Sequence, residues 1–281
     1  MNSTIYDVIM RMHFVIFHGI CRLSVWSIEC PEHVLRISLI RLASVVCGLG
    51  VFIFQITPGA AECLAPHLAA PQPPRKEAAQ RVDHIGRRYE SPEAAQVRLV
   101  FFGDSLVQRW PDRLWNRHFA PLSALNLGIG GDGASNLLWR LRYDMWAIGG
   151  RALTPSQVFL LIGTNDIGRN IEAALISAQI RAVVGEIHRY WPNAKVFVIS
   201  VLPRTNLGPF HNKIISSLNE NVRTCSSEGS SGNFLTYIDV AGLFVGAHGR
   251  PDASLLEDGL HLSEKGYEIL QQALSPFLAV D

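Results

Sequence analysis

The chain predicts an α/β fold, a parallel sheet with helices on both faces. Five short apolar runs point to it: VRLVFF (97–102), ALNLGI (124–129), QVFLLI (157–162), KVFVIS (195–200) and FLTYID (234–239). They are mostly uninterrupted rather than alternating, as expected of strands buried on both faces. Helical patterns lie between them, and that alternation leads to parallel strands joined by crossovers. No internal repeat is present. In such sheets ligands bind beyond the carboxyl ends of the strands, so chemistry is expected just after each run.

The helices follow from spacing and stop signals. Residues 170–191 place Ile171, Leu175, Ala178, Val183, Ile187 and Trp191 at intervals of three to five, and Pro192 stops the run. Residues 133–143 and 209–225 are further candidates. Residues 263–279 close the chain, with Ser263 as N-cap and Leu270, Leu274 and Phe277 on one face. Pro276 should end or bend that helix early.

Composition narrows the function. Of 281 residues 48% are hydrophobic and 17% charged, against about 25% charged in a typical soluble domain. That excludes a disordered chain. The 23 Gly and 15 Pro show no fixed period, which excludes a collagen-like one. With 25 basic and 24 acidic residues the net charge is +1. No long-range field gathers polyanions, so no nucleic-acid partner is expected. The five cysteines, at 21, 30, 47, 63 and 225, form no C-x-x-C pair. Neither a disulfide scaffold nor a structural zinc site has support.

The first 61 residues read as a targeting segment. LASVVCGLGVFIFQI (42–56) is an apolar stretch preceded by Arg36 and Arg41 and followed by the small residues of PGAA (58–61). Those are the parts of a secretory signal. A spanning helix needs about 20 apolar residues, a length reached only if residues 37–56 cross with Arg41 snorkelling. Export to the periplasm or medium, or membrane anchoring through 37–56, is therefore expected in preference to a cytoplasmic location. The signal sits far in, which a true start downstream of residue 1 would explain. Removing residues 1–61 takes away Arg11, Arg22, Arg36 and Arg41 with Asp7, Glu29 and Glu32, and leaves a neutral body. Cys63 and Cys225 would be its two cysteines, with no disulfide assigned. Residues 62–77, containing APHLAAPQPPR, read as a proline- and alanine-rich linker. The folded domain is expected over 78–281.

Four motifs fall after runs or in the closing segment. GDSL (103–106) presents Ser105 beyond the first run, near a helix start. A serine hydroxyl is a poor nucleophile until a base takes its proton, and by itself the motif reads more readily as a turn with Ser105 capping the next helix. GIGGDG (128–133) matches G-x-G-x-x-G through Gly128, Gly130 and Gly133. The acid that a dinucleotide site needs about 20 residues on is missing. The competing reading is a loop whose free N–H groups face a developing negative charge, with Asp132 as N-cap of the helix at 133. GTND (163–166) offers the Asn165 amide as an uncharged donor, with Asp166 in a structural capping role. DGLHL (258–262) puts Asp258 and His261 within one turn, where the acid can fix the imidazole tautomer. A metal reading with His248 or Asp252 lacks a third ligand at helical spacing. Together the four supply a nucleophile, a base, an orienting acid and neutral donors, the parts needed for acyl transfer.

These blocks, FFGDSLVQRW (101–110), ALNLGIGGDG (124–133), LLIGTNDIG (160–168) and DGLHLSEKGY (258–267), resemble the SGNH or GDSL-type esterase and lipase superfamily. Within it the likeness is to the catalytic subunits of intracellular platelet-activating-factor acetylhydrolase (alpha1 and alpha2 type) and their bacterial relatives. GDSLVQ, FAPLSALNLGIGGDG, LWRL (138–141), IGTN and LPR (202–204) carry it, from about Ala78 to the end. The resemblance implies a three-layer α/β/α sandwich, flavodoxin-like, with a five-stranded parallel sheet. It implies Ser105 as nucleophile, His261 as general base and acid, and Asp258 as the orienting acid. The oxyanion hole it implies is the N–H of Ser105 and Gly131 with the amide of Asn165. No metal or organic cofactor is implied.

The expected function is a serine esterase acting on short acyl, above all acetyl, esters of a small lipid or sugar. Leu106, Thr164 and Leu260 adjoin Ser105, Asn165 and His261 and are expected to crowd the acyl side. Trp110, Trp115 and Trp139 either line a substrate site or pack between helix and sheet. The alternatives are a carbohydrate O-acetyl esterase or acyltransferase of the same fold, a silent binding module and a flavodoxin-like nucleotide binder. A homodimer is left open.

Overall fold

A computed structural model of the chain describes residues 28–30, 33–35, 70–89, 91–144, 153–227 and 234–278. Chain contacts divide the protein into Met1–Gln55 and Ile56–Asp281. In the first unit, strands β1 (Ile28–Cys30) and β2 (His33–Leu35) pair antiparallel. The apolar run at 42–56, the boundary expected after residue 61 and Cys63 lie outside the described residues. Among the described residues no helix is long and apolar enough to cross a membrane.

The second unit holds a five-stranded sheet made of β3 (Leu99–Gly103), β4 (Ala124–Gly128), β5 (Gln157–Leu161), β6 (Lys195–Ile199) and β7 (Leu235–Ile238). All pairings are parallel, in the order β4-β3-β5-β6-β7. The chain leaves β3 for β4 on one side and returns to β5 on the other. The crevice between the ends of β3 and β5 is thus the topological switch point, where doubly wound sheets bind ligands.

Alternate strand residues serve opposite faces. Val100, Phe102, Val158, Leu160, Val196 and Val198 face one layer, packed with residues of α1 (Ala79–Tyr89), α4 (Ala134–Trp139), α6 (Ala173–Tyr190) and α7 (Pro209–Ser227). Leu99, Phe101, Phe159, Leu161, Phe197 and Ile199 face the other, packed with α2 (Ser105–Gln108), α3 (Asp112–His118) and α8 (Glu264–Leu274). Both faces are covered, which is why these strands are largely apolar, with Asn126, Gln157, Lys195 and Thr236 as the polar positions. On the second face Phe101, Phe159 and Phe197 are cross-strand neighbours stacked at 4.8 Å between centroids. Such pairs add about 0.5–1.5 kcal/mol each beyond buried area. Trp110, Trp115 and Phe119 close edge-on around Phe101. Trp110 and Trp115 are therefore packing residues of this layer. Trp139 lies against Tyr143.

Two sequence expectations shift. In α6 the buried stripe runs through Ile176, Ile180, Val183 and Ile187, while Leu175 is 36% exposed. Leu175 and Ile176 are equally apolar, and only the fold decides which turns inward. Asp132 does not cap the next helix. Gly133 holds the N-cap position, its N–H donates to Asn136 Oδ1, and the Ala134 N–H donates to Asp166 Oδ2. Asp132 pairs instead with buried Arg140, one helix further on. Ser263 does cap α8, accepting from the Gly266 N–H, and α8 gives way to a 3-10 turn at Ser275–Phe277 containing Pro276.

The proline-rich segment is docked where it is described. Gln72 N–H donates to Ser135 O, and the Asn136 amide donates to Gln72 O and Pro73 O. The Ser135 carbonyl and the Asn136 amide, at the start of α4, thus give residues 72–73 a fixed seat.

Candidate active site

The end of β3 sets the position of Ser105. A Cβ on Gly103 would stand 2.4 Å from both Leu161 O and Val107 Cγ2, so only glycine lets the following turn press against β5. Asp104 caps α2 by accepting from the Leu106 N–H at 2.8 Å. Ser105 is the first residue of that helix, so its N–H has no intrahelical acceptor and is free for a ligand. Ser105 as a residue is buried, and its bond to His261 is partly so.

His261 reaches Ser105 from the closing segment. Its Nε2 is 2.9 Å from Ser105 Oγ, and its Nδ1 is 2.7 Å from Asp258 Oδ2. The carboxylate accepts at Nδ1, so that nitrogen carries the proton and Nε2 is left to accept from the serine hydroxyl. Asp258 Oδ1 accepts from the N–H groups of Leu260 (3.0 Å) and His261 (2.8 Å). The imidazole and these N–H groups hold the Asp258 carboxyl well below the usual carboxylate range. An acid whose ionised form is favoured thus faces the imidazole.

The second and third motifs meet beside Ser105. Gly131 has φ +81°, a left-handed conformation that suits glycine, and its O accepts from Arg169 Nη2 at 2.5 Å. Asn165 Nδ2 donates to Asp132 O at 2.8 Å, which joins the two loops and leaves the second amide hydrogen available. Gly130 N–H donates to Gln108 Oε1 at 2.6 Å, tying the glycine loop to the serine helix. The glycines serve close packing. A Cβ on Gly128 would stand 2.4 Å from Gln108 N, and one on Gly133 would stand 2.3 Å from Asp166 Oδ1.

Beneath these loops lies a layer of buried charge. Asp104, Asp132 and Asp166 are almost inaccessible, as are Arg140 and Arg204. Burial pushes the Asp104 carboxyl up to about 7, opposed by the Leu106 N–H and reinforced by Asp166 and Asp132. Burial likewise raises Asp132 against the pull of Arg140, and Asp166 against the Ala134 N–H. Arg140 holds Asp132 at 3.1 Å and donates to Leu127 O at 2.8 Å. These groups brace the loops that carry the reactive ones.

Of the residues expected to crowd the acyl side, Leu106 is 1% exposed and packs into the aromatic layer. Thr164 is buried, its O and Oγ1 accepting from Arg204. Leu260 is partly exposed beside His261. Asp252, once a candidate metal ligand, accepts from the N–H and hydroxyl of Ser254. Sequence reading assigned no role to Gln108, Arg140, Arg169 or Arg204. Gln108, Arg140 and Arg204 stand inside the motifs GDSLVQ, LWRL and LPR, but nothing local says which loop each would meet.

Fold and site together define an SGNH-type hydrolase, an α/β/α enzyme with its serine at the end of the first strand of the sheet. A family model described as the GDSL-like Lipase/Acylhydrolase family matches residues 101–269. The human Platelet-activating factor acetylhydrolase IB subunit alpha1 is 35% identical over 182 residues, covering 64% of this chain and 74% of the relative. A solved structure from Streptococcus pneumonia superposes with a TM-score of 0.60 at 24% identity, covering 72% of this chain and 94% of that one. A carbohydrate esterase family 3 structure from Talaromyces cellulolyticus gives 0.51 at 17%, covering 65% and 96%. At these identities the two structures speak for the fold. The chain belongs to the GDSL-like lipase/acylhydrolase family, and it is an esterase-type hydrolase.

Proposed function

We propose that the protein hydrolyses short-chain acyl esters, acetyl above all, through an acyl-enzyme on Ser105. The observation that carries this reading is the relay from Asp258 through His261 to Ser105, with both imidazole contacts under 3 Å. Ser105 Oγ attacks the ester carbonyl while His261 Nε2 takes its proton. The N–H groups of Ser105 and Gly131 and the Asn165 amide receive the oxyanion. His261 then protonates the departing alcohol. The same imidazole activates water, which releases the acid and frees the serine. Asp258 keeps the tautomer and balances the imidazolium.

The acetyl preference is supported by the likeness to the human relative, an acetylhydrolase, and by Leu260 at the shoulder of His261. The alcohol half is left as a small lipid or sugar, because the fold is shared with a carbohydrate esterase. Rates on acetyl, butyryl and octanoyl p-nitrophenyl esters test the preference. Acetyl is expected to have the highest kcat/KM, and a maximum at octanoyl overturns the acyl-length reading.

A further inference from the structure

The loop that carries Asp258 and His261 is closed mainly on itself. Leu256 and Leu262 bridge its base, the Glu257 N–H donates to His261 O at 2.7 Å, and Asp258 gathers the N–H groups of Leu260 and His261. These bonds shape the loop without fixing its tip against the sheet. The tip is held by Gly259 O, which accepts from the N–H groups of Thr205 (2.8 Å) and Asn206 (3.3 Å). The contact is close. Gly259 has φ +82°, and a Cβ there would stand 2.6 Å from Thr205 Oγ1 and 2.9 Å from Asn206 N.

Arg204 organises that contact from below. It is 6% exposed. Its Nε donates to Asn206 Oδ1 at 2.7 Å, and its Nη1 donates to Thr164 O (3.1 Å) and Oγ1 (3.3 Å). Its backbone is gripped by Asn212 of α7, whose Oδ1 accepts from the Arg204 N–H and whose amide donates to Arg204 O. One guanidinium therefore joins the segment that holds the base loop to the residue before Asn165. The two arms use different nitrogens of a rigid planar fork, which a lysine ammonium cannot reproduce.

We propose that Arg204 and Asn206 are positioning residues, a clamp that sets the His261 loop and the Asn165 turn at one fixed geometry around Ser105. The proposal rests on the triad reading above. A clamp of this kind acts on kcat, since it aligns groups around the reacting atoms without touching the substrate.

The test uses the full-length protein with Asn206→Ala and Arg204→Lys. Asn206 is exposed, so its truncation spares the core. Hydrogen exchange is followed over residues 256–262, alongside kcat and KM for p-nitrophenyl acetate. Exchange in that segment is expected to quicken, with kcat falling roughly 10- to 100-fold, as for a misplacement of about 1 Å, and KM held within about twofold. Unchanged exchange overturns the clamp. So does faster exchange with kcat intact, or an effect confined to KM. Failure of the triad reading looks different, as Ser105 labelling that ignores His261→Ala, whereas exchange over 256–262 judges the clamp without any turnover.

Discussion

His261 Nε2 lies 2.9 Å from Ser105 Oγ, although 156 residues separate the two in the chain. The sheet makes the meeting possible. Ser105 follows β3 at the switch point, and α8, which begins three residues after His261, packs on the same face as the serine helix. Tyr267 of α8 seals that face by donating its hydroxyl hydrogen to Leu106 O at 3.0 Å.

Asp258→Asn tests the tautomer argument. An amide at 258 can present N–H to Nδ1 and so favour the wrong tautomer. Where such an acid is buried the loss is about 10⁴-fold in kcat. The Asp258 side chain is 54% exposed, so water partly replaces it and a loss of roughly 10²- to 10³-fold is expected. Steady-state kinetics on p-nitrophenyl acetate measures this, and a kcat within twofold of the parent removes Asp258 from the relay.

Asn165→Ala removes one oxyanion donor and also the bond from Asn165 to Asp132 O. A fall of about 10²- to 10³-fold in kcat is expected, with Ser105 still open to acylation. Burst-phase and steady-state rates on the same ester read acylation and deacylation, and both are expected to slow because each passes through an oxyanion. Full activity in the variant would remove the amide from the hole.

Asp104→Asn tests the buried charge layer. The folded chain holds the Asp104 carboxyl at about 7 against an ordinary 3.8. Between those values the native state keeps a proton that the unfolded chain releases, so the group costs stability progressively as pH rises through the window. Asparagine keeps an acceptor for the Leu106 N–H and carries no charge. The melting temperature of the variant relative to the parent should therefore rise from about pH 5 to about pH 8.5. A difference independent of pH contradicts the assignment.

The sheet was legible because strands covered on both faces must be largely apolar, and residues 99–103 and 158–161 are. The four motifs were legible because each lies at a strand end or in the closing loop, where local residue types state the chemistry. What stayed hidden depends on distant partners. Asp132 looks like a cap from its neighbours, yet Arg140, eight residues on, claims it while Asp166 caps the helix. Arg204 meets Thr164 and the segment beneath Gly259 only after β6 and the closing segment are in place. Residues 72–73, Gln and Pro, lie in a proline-rich stretch, and nothing in that composition reveals the seat made by the Ser135 carbonyl and the Asn136 amide.

The most direct measurement is covalent labelling of the intact protein with a fluorophosphonate, mapped by mass spectrometry, in the parent and in His261→Ala. An activated serine reacts and an unassisted one scarcely does. One adduct on Ser105, formed at least about 10²-fold more slowly in His261→Ala, is the predicted result. An adduct elsewhere, none at all, or equal rates in the two proteins would contradict the account.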